Sequence, residues 1–377
     1  MNTFNCADKA LKSNIIGVWH RPNSSERETS LEGLCAVLDE FQSAGINLVF
    51  LETFFHGSVI FKSELVDYRE KLACYEYGDY PDYMSAFVSE AEKRGISTHA
   101  WVQDFYVGVD EDKALITDHP DWMLINQHGK LRHTTEGHGF GGYLFLDPAN
   151  PEVRSFLTSL YDEILSRFPA VKGLNLDYIR YPISIIEDDT DTGYTEVSMR
   201  GFADQQGIAL EKTLTPDAFN KLIKENALED AWIAYRASYI TSFVKGIRKM
   251  VDEKHSGRLV STAIFPEIEQ TYSFKKQSIK VWLDNRYIDL VTPMVHFYGA
   301  QQVGEAVKNL KSMCNGAKCY TGLYTTYHNQ TTDELAEHID ASIDAGAEGT
   351  ILFDAAKTFF EAKHDYHGFL SQRYGRA

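Results

Sequence analysis

The sequence predicts a (β/α)8 TIM barrel, and three observations point there. Short apolar runs that read as strands alternate along the chain with amphipathic stretches that read as helices, the order that builds a parallel sheet. Eight such units follow one another, the number at which a parallel sheet closes; a doubly wound open sheet, the main alternative, would not ordinarily need so many. The joint between helix and strand also recurs, in "FQSAGINLVFLE", "AEKRGISTHAWVQD" and "IDAGAEGTILFD", where Gly45, Gly95 and Gly346 each stand where a helix stops in a left-handed conformation.

The first strand is expected near 15–20, and the helix near 30–44 opens on Thr29 with Glu32 at capping-box spacing. The second strand lies near 47–53, its helix near 82–94, and the third strand near 98–104. A connection from Phe105 to Asn150 then departs from the usual few residues. Asn150 and Pro151 read as N-cap and first residue of a helix near 151–168, with Val153, Phe156, Leu157, Leu160, Tyr161, Ile164 and Phe168 on one stripe that can pack on a sheet. The fourth strand near 173–179 is followed by a second long connection, Pro182 to Asp230, and a helix near 232–254. Strands near 258–265, 289–297, 318–325 and 349–354 complete the set, with helices near 275–284, 302–313 and 332–345 and a last one after 355; Thr331 with Glu334 caps the third of these. The chain therefore reads as one domain, 1–377, with 105–150 and 182–230 as insertions over the cleft, because both leave the C-terminal ends of strands, where barrels place their active sites.

With 37 basic and 54 acidic residues the net charge is -17, a field that repels nucleic acid and anionic membranes and fits a neutral or cationic substrate better. No apolar run approaches the roughly 20 residues a bilayer requires. The opening residues carry no basic segment with a following apolar stretch, so the chain as written reads as cytoplasmic by default, and as exported or lipid-anchored if a leader was removed. Oligomeric state stays open. Cys6, Cys35, Cys74, Cys314 and Cys319 are scattered and odd in number, which suggests neither a disulfide framework nor a zinc site, and Cys35 falls on a buried helical stripe. The acidic run "EDDTDTG" at 187–193 lacks the ligand spacing of a calcium loop and reads as solvated. No cofactor or metal is expected.

The strand ends facing the cleft hold Trp19 and His20; Glu52; Gln103 and Asp104; Asp177, Tyr178 and Arg180; Glu267; His296 and Tyr298; Tyr324; and Asp354. Side chains alternate between barrel interior and helix layer, so about half of these are expected to be structural. Asp177 stands out because "GLNLDYIRYP" is an apolar strand that ends in a carboxylate, an aromatic and a cation. A buried carboxylate is costly unless paired or functional, and Arg180 is the expected partner. Hydrolysis of a glycosidic bond needs two carboxyl groups, and Glu267, beyond Pro266 in "STAIFPEIEQ", is the first candidate for the second, with Glu269 as its substitute. Trp19, Trp101, Trp122, Tyr178 and Tyr298 are candidate sugar platforms.

Other barrel chemistries fit less well. "GVWHRP" offers one histidine where a metal-dependent amidohydrolase needs a His-x-His pair, strands four to eight end in no lysine suited to a Schiff base, and "LYTTYHN" and "LFDAAKT" lack the glycines of a phosphate site. A non-catalytic carbohydrate-binding barrel is the principal alternative to a hydrolase.

"IIGVWH", "GINLVFLETFFHG", "GISTHAWVQ", "FLDPANPEVRSFLTSLYDEIL" and above all "VKGLNLDYIRYP" resemble the glycosyl-hydrolase-like family 10 of bacterial barrel proteins. The resemblance implies a (β/α)8 barrel related to retaining glycosidases, often exported or lipid-anchored, acting on a bacterial or dietary glycan. It implies that Asp177 is the family's strand-four aspartate and that Arg180 and Tyr181 belong to its rim. Asp104 and "FFHGSVIFKSE" depart from the pattern. The resulting expectation is a retaining reaction with Asp177 as nucleophile, ionised beside Arg180, and Glu267 as acid/base. The cleft would be lined by Trp19, Glu52, Asp104, His296 and Tyr298 besides these two, with His20, Trp101, Tyr178, Arg180 and Tyr324 also on the sugar.

Overall fold

The computed structural model describes residues 15–23, 25–136, 141–184, 190–296, 298–325 and 330–375. Eight parallel strands close into a barrel: β1 (Ile15–His20), β2 (Leu48–Phe55), β3 (Ser97–Val102), β4 (Val171–Leu176), β5 (Leu259–Ile264), β6 (Leu290–Pro293), β7 (Lys318–Tyr324) and β8 (Gly349–Phe353). Each pairs with its neighbour in sequence, and β1 also pairs with β8, Val18 standing opposite Leu352, so the first and last strands seal the sheet. All eight predicted strands are present, displaced by a few residues at most at their ends.

Strand alternation sorts the residues into two cores. Trp19, Leu48, Phe50, Trp101, Ala263, Leu290, Tyr320 and Ile351 fill the interior, while Val18, Val49, Leu51, Val102, Leu176, Ile264 and Leu352 face the helices. The interior combines large rings with glycines where those rings need room. A Cβ on Gly322 would stand 2.8 Å from the Trp19 indole, and one on Gly173 would stand 3.1 Å from the His99 ring and 2.4 Å from the Leu259 carbonyl oxygen.

The helices begin and end for the expected local reasons, with three departures. Gly45, Gly95 and Gly346 have φ of +81, +70 and +100, Asn150 accepts from the Glu152 amide ahead of Pro151–Arg167, and Thr331 and Glu334 form the reciprocal box before Thr332–Asp344. The helix Leu31–Ser43 is capped by Ser30 rather than Thr29, its hydroxyl accepting from Gly33, because the chain becomes helical one residue later than the spacing suggested. Cys35 is only half-buried; Leu34, Val37, Leu38 and Phe41 form the stripe. The single helix expected at 275–284 is two, Ile268–Lys275 and Ile279–Asp284, broken where Lys276 takes a left-handed φ of +61.

The 182–230 connection carries helices Glu196–Gln206 and Pro216–Glu225, which pack on Trp232 and Tyr235 of the 26-residue helix Glu229–Lys254. Beneath them Asp191 is fully buried and pairs with Arg236 at 2.7 Å and Lys276 at 3.6 Å, which hold its carboxyl down at about 2 against the cost of burial. Residues 187–189 of the acidic run lie outside the described residues. Among the described residues no helix is long and apolar enough to cross a membrane.

Candidate functional site

At the C-terminal ends of the strands a cavity of about 480 Å³ opens, within the usual size for small-ligand sites. Its floor is the interior core, and its polar groups come from positions that strand alternation turns inward: Arg21 beyond β1, Glu52 on β2, Trp101 and Gln103 at β3, Asp177 beyond β4 and His296 beyond β6. The first long connection supplies a wall through Tyr106, Val109 and Tyr143.

Asp177 follows Leu176 directly, and its amide still donates to Val102 of β3, so the side chain is aimed by the sheet itself. The Trp101 indole N–H donates to Oδ2 at 3.0 Å and the Tyr178 amide to Oδ1 at 2.7 Å. Burial outweighs those two donors and the Arg180 and Arg21 charges, so the carboxyl is raised above its ordinary value rather than held down by Arg180 as expected. Tyr178 adopts φ +51, a left-handed conformation costing a non-glycine residue about 1–2 kcal/mol. Its ring lies between the Tyr106 ring, stacked at 4.6 Å, and the Arg180 guanidinium at 4.5 Å.

Glu52 lies two strands away, opposite Trp101 in the β2–β3 register, just before a bulge that shifts the pairing to Phe54. It is 1% exposed, accepts from Gln103 Nε2 at 2.6 Å and has Arg21 Nε at 3.5 Å. Burial raises its pKa to about 7; Arg21 and Arg69 pull it down, while the Asp177 charge pushes it further up. Two carboxyl groups thus share one cavity, both pushed up by burial: Asp177, held by two aimed N–H donors, and Glu52, raised to about 7.

Arg21 bridges the seam of the barrel, 3.5 Å from Glu52 and 3.4 Å from Asp354. Opposite, Arg180 is bound in bidentate fashion by Glu136 of the first long connection, at 2.8 and 2.9 Å.

The expected residues divide by parity. Glu52, Trp101, Asp177, Tyr178, Arg180 and His296 line the cavity, burial holding the His296 pKa down near 4. Trp19 points inward but lies below, its indole donating to Asn175 at 3.2 Å and packing against Phe353 and His296. Tyr324 stacks on Phe353 behind the wall, and Tyr298 is part-buried on the core; neither is among the described residues that line the cavity. His20 and Asp104 are corrections, because each stands one position out of phase and faces the helices. His20 is fully buried against Phe87 with Glu28 at 3.0 Å, and Asp104 accepts from Tyr161 of Pro151–Arg167 at 2.7 Å, burial driving its pKa well up. Trp122 is likewise core, its indole bonded to Glu152.

Glu267 is corrected too. It precedes the helix Ile268–Lys275 as an exposed residue, and neither it nor Glu269 lines the cavity; Phe265 does, because Pro266 turns the chain outward after it. The expected Asp177–Arg180 pair is replaced by Glu136–Arg180. Sequence reasoning missed Arg21, Arg69 and Glu136. Arg21 was legible by parity, two positions after Trp19; Glu136 carries no such signal within its long connection.

A family model described as Glycosyl hydrolase-like 10 matches residues 14–334. Glycosyl hydrolase DigH of Escherichia coli strain K12 is 28% identical over 178 residues, 44% of this chain and 39% of that protein. Glycosyl hydrolase YngK of Bacillus subtilis strain 168 is 23% identical over 152 residues, 40% of this chain and 28% of that protein. The aligned region thus spans about two fifths or less of these relatives' length. Among solved structures, the catalytic domain of a β-amylase from Paenibacillus polymyxa superposes with a TM-score of 0.63 at 10% identity, covering 95% of this chain and 97% of that one, a likeness of fold.

Proposed function

The chain belongs to the glycosyl hydrolase-like 10 family, and from that premise we propose that it hydrolyses an O-glycosidic bond in a bacterial or dietary glycan, with Asp177 as nucleophile and Glu52 as general acid/base. The observation that carries the reading is the pair of carboxyl groups in one cavity, with Glu52 raised to about 7 and Asp177 gripped by Trp101 and Tyr178. Glu52 gives its proton to the departing glycosidic oxygen while Asp177 attacks the anomeric carbon, forming a glycosyl ester. Glu52 then takes a proton from water as that water displaces Asp177, and the product keeps the anomeric configuration. Neighbouring strands are about 4.8 Å apart, so the two backbones stand about 10 Å apart across β3, and both side chains turn into the same cavity. The retaining reading requires the two carboxyl groups to come within about 5 Å of each other; a wider gap would admit an intervening water and invert the product. The long connections 105–150 and 182–230 are read as unequal partners in this domain: the first borders the substrate, and the second braces the rim.

The test is a mass-spectrometric screen of bacterial-wall and dietary glycans with wild type, Asp177→Asn and Glu52→Gln. Wild type should release product, and Asp177→Asn should abolish it. Glu52→Gln should lose about 10²–10⁴-fold on natural glycans and far less on aryl glycosides with good leaving groups. Proton NMR of the first-formed sugar should show retention; an inverted product would remove the nucleophile role from Asp177. Glycan binding without product from any bound glycan would leave a carbohydrate-binding barrel instead.

A further inference from the structure

Among the described residues three arginines line the cavity, and two have carboxylate partners: Arg21 with Glu52 and Asp354, Arg180 with Glu136. Among the described residues Arg69 has none within ion-pair distance, and its guanidinium makes no hydrogen bond to protein. Its guanidinium carbon sits 3.8 Å from the centre of the Phe55 ring, a stack that holds a planar cation in place while leaving its N–H edges unused. The backbone is fixed as well, because the Arg69 amide donates to Val59 of the short strand Ser58–Val59 that folds back on β2. Beside it His56, at a left-handed φ of +49 in the turn leading to that strand, presents its ring to the same cavity, edge-on to Tyr106. Burial and the Arg69 charge hold His56 down near 4, so at neutral pH its ring offers a neutral N–H.

A half-buried guanidinium with five donors and no acceptor is costly, and a ligand's anion would relieve that cost. Glu52 does not fill the role: it is engaged by Gln103 and Arg21 and reaches Arg69 only through its field. The geometry points to Arg69, with His56, as a subsite for an anionic substituent on the sugar, a carboxylate or a sulfate ester, so that the substrate is an acidic glycan. This rests on the hydrolase reading for turnover but not for binding. It also runs against what the net charge of -17 suggests, since the overall field disfavours anions and a local unpaired cation is what would overcome it.

Binding and turnover are measured separately on matched pairs: an oligouronide with its carboxyl-reduced counterpart, and a sulfated oligosaccharide with its desulfated form. Wild type should bind at least one acidic member about ten- to a hundredfold more tightly than its neutral partner, the worth of a charge-assisted bidentate contact. Which pair shows the preference decides between carboxylate and sulfate. Arg69→Gln should erase that preference, its loss of affinity falling far more on the acidic member than on the neutral one, and Arg69→Lys should restore part of it. An acidic preference without product from any glycan upholds the subsite and overturns hydrolysis. Equal binding of acidic and neutral members by wild type overturns the subsite, a result that needs no variant to fold. Equal losses on both members in Arg69→Gln also overturn it, and would assign Arg69 to the field around Glu52.

Discussion

At the scale of single residues, the protonation of Glu52 governs both chemistry and stability. Its carboxyl is raised from 4.5 to about 7 by burial, so a proton donor at this position should give kcat/KM a basic limb near pH 7. The same shift has a thermodynamic sign. The native state holds the proton more tightly than the unfolded chain, so the penalty is absent below about 4.5 and develops as pH rises to about 7, reaching on the order of 3 kcal/mol. Glu52→Gln cannot ionise and should therefore gain stability relative to wild type across that window. Chemical denaturation at pH 4, 6 and 8 checks it, and a difference that stays flat removes the raised carboxyl from the account. These residues were unevenly legible in the sequence. Asp177 announced itself as a carboxylate closing an apolar strand. Glu52 was one of four reserve candidates for the proton donor, with Glu269, Asp104 and Asp354, until its neighbours Gln103, Arg21 and Asp177 singled it out. His20 and Asp104 show why composition at a strand end is not enough, since a one-residue change of phase moves a side chain from substrate to helix layer.

At the scale of elements, strands and helix ends were readable because each has a local cause: a glycine free to adopt positive φ, an N-cap hydroxyl or amide, an apolar stripe. The long connections were not, because their form depends on partners far away in sequence. Glu136 acts by reaching Arg180, 44 residues on, and the 182–230 segment is tied down by Asp191, which meets Arg236 45 residues later. The latter tie should be energetically exposed to mutation. Asp191→Asn leaves Arg236 and Lys276 buried without their anion and should cost about 3–5 kcal/mol. Because no described residue of 182–230 lines the cavity, KM should stay within about twofold of wild type in whatever fraction remains folded. Urea denaturation beside steady-state kinetics separates the two effects; a large rise in KM would instead place this segment in contact with substrate.

At the scale of the whole molecule, closure depends on interior volumes matching around the barrel. Trp19, Phe50, Trp101 and Tyr320 fit because glycines stand where neighbouring rings cross the axis. Gly322→Ala would bring a methyl group to 2.8 Å from the Trp19 indole and 3.0 Å from the Pro293 oxygen, and should destabilise the protein by about 1–3 kcal/mol without touching the cavity wall directly. Calorimetry would register it as a lowered Tm, and an unchanged Tm would mean the interior can yield at that layer. The seam between β1 and β8 carries a further meaning for synthesis in the cell. Val18 finds Leu352 and Arg21 finds Asp354 only across sequence separations of 334 and 333 residues, so a nascent chain emerging from the ribosome holds the makings of both carboxyl positions long before it holds the strand that completes the ring. Translation must deliver the last strand before the first can be sealed, and the unsealed edges of β1 and of the newest strand present unpaired backbone groups to other chains until then.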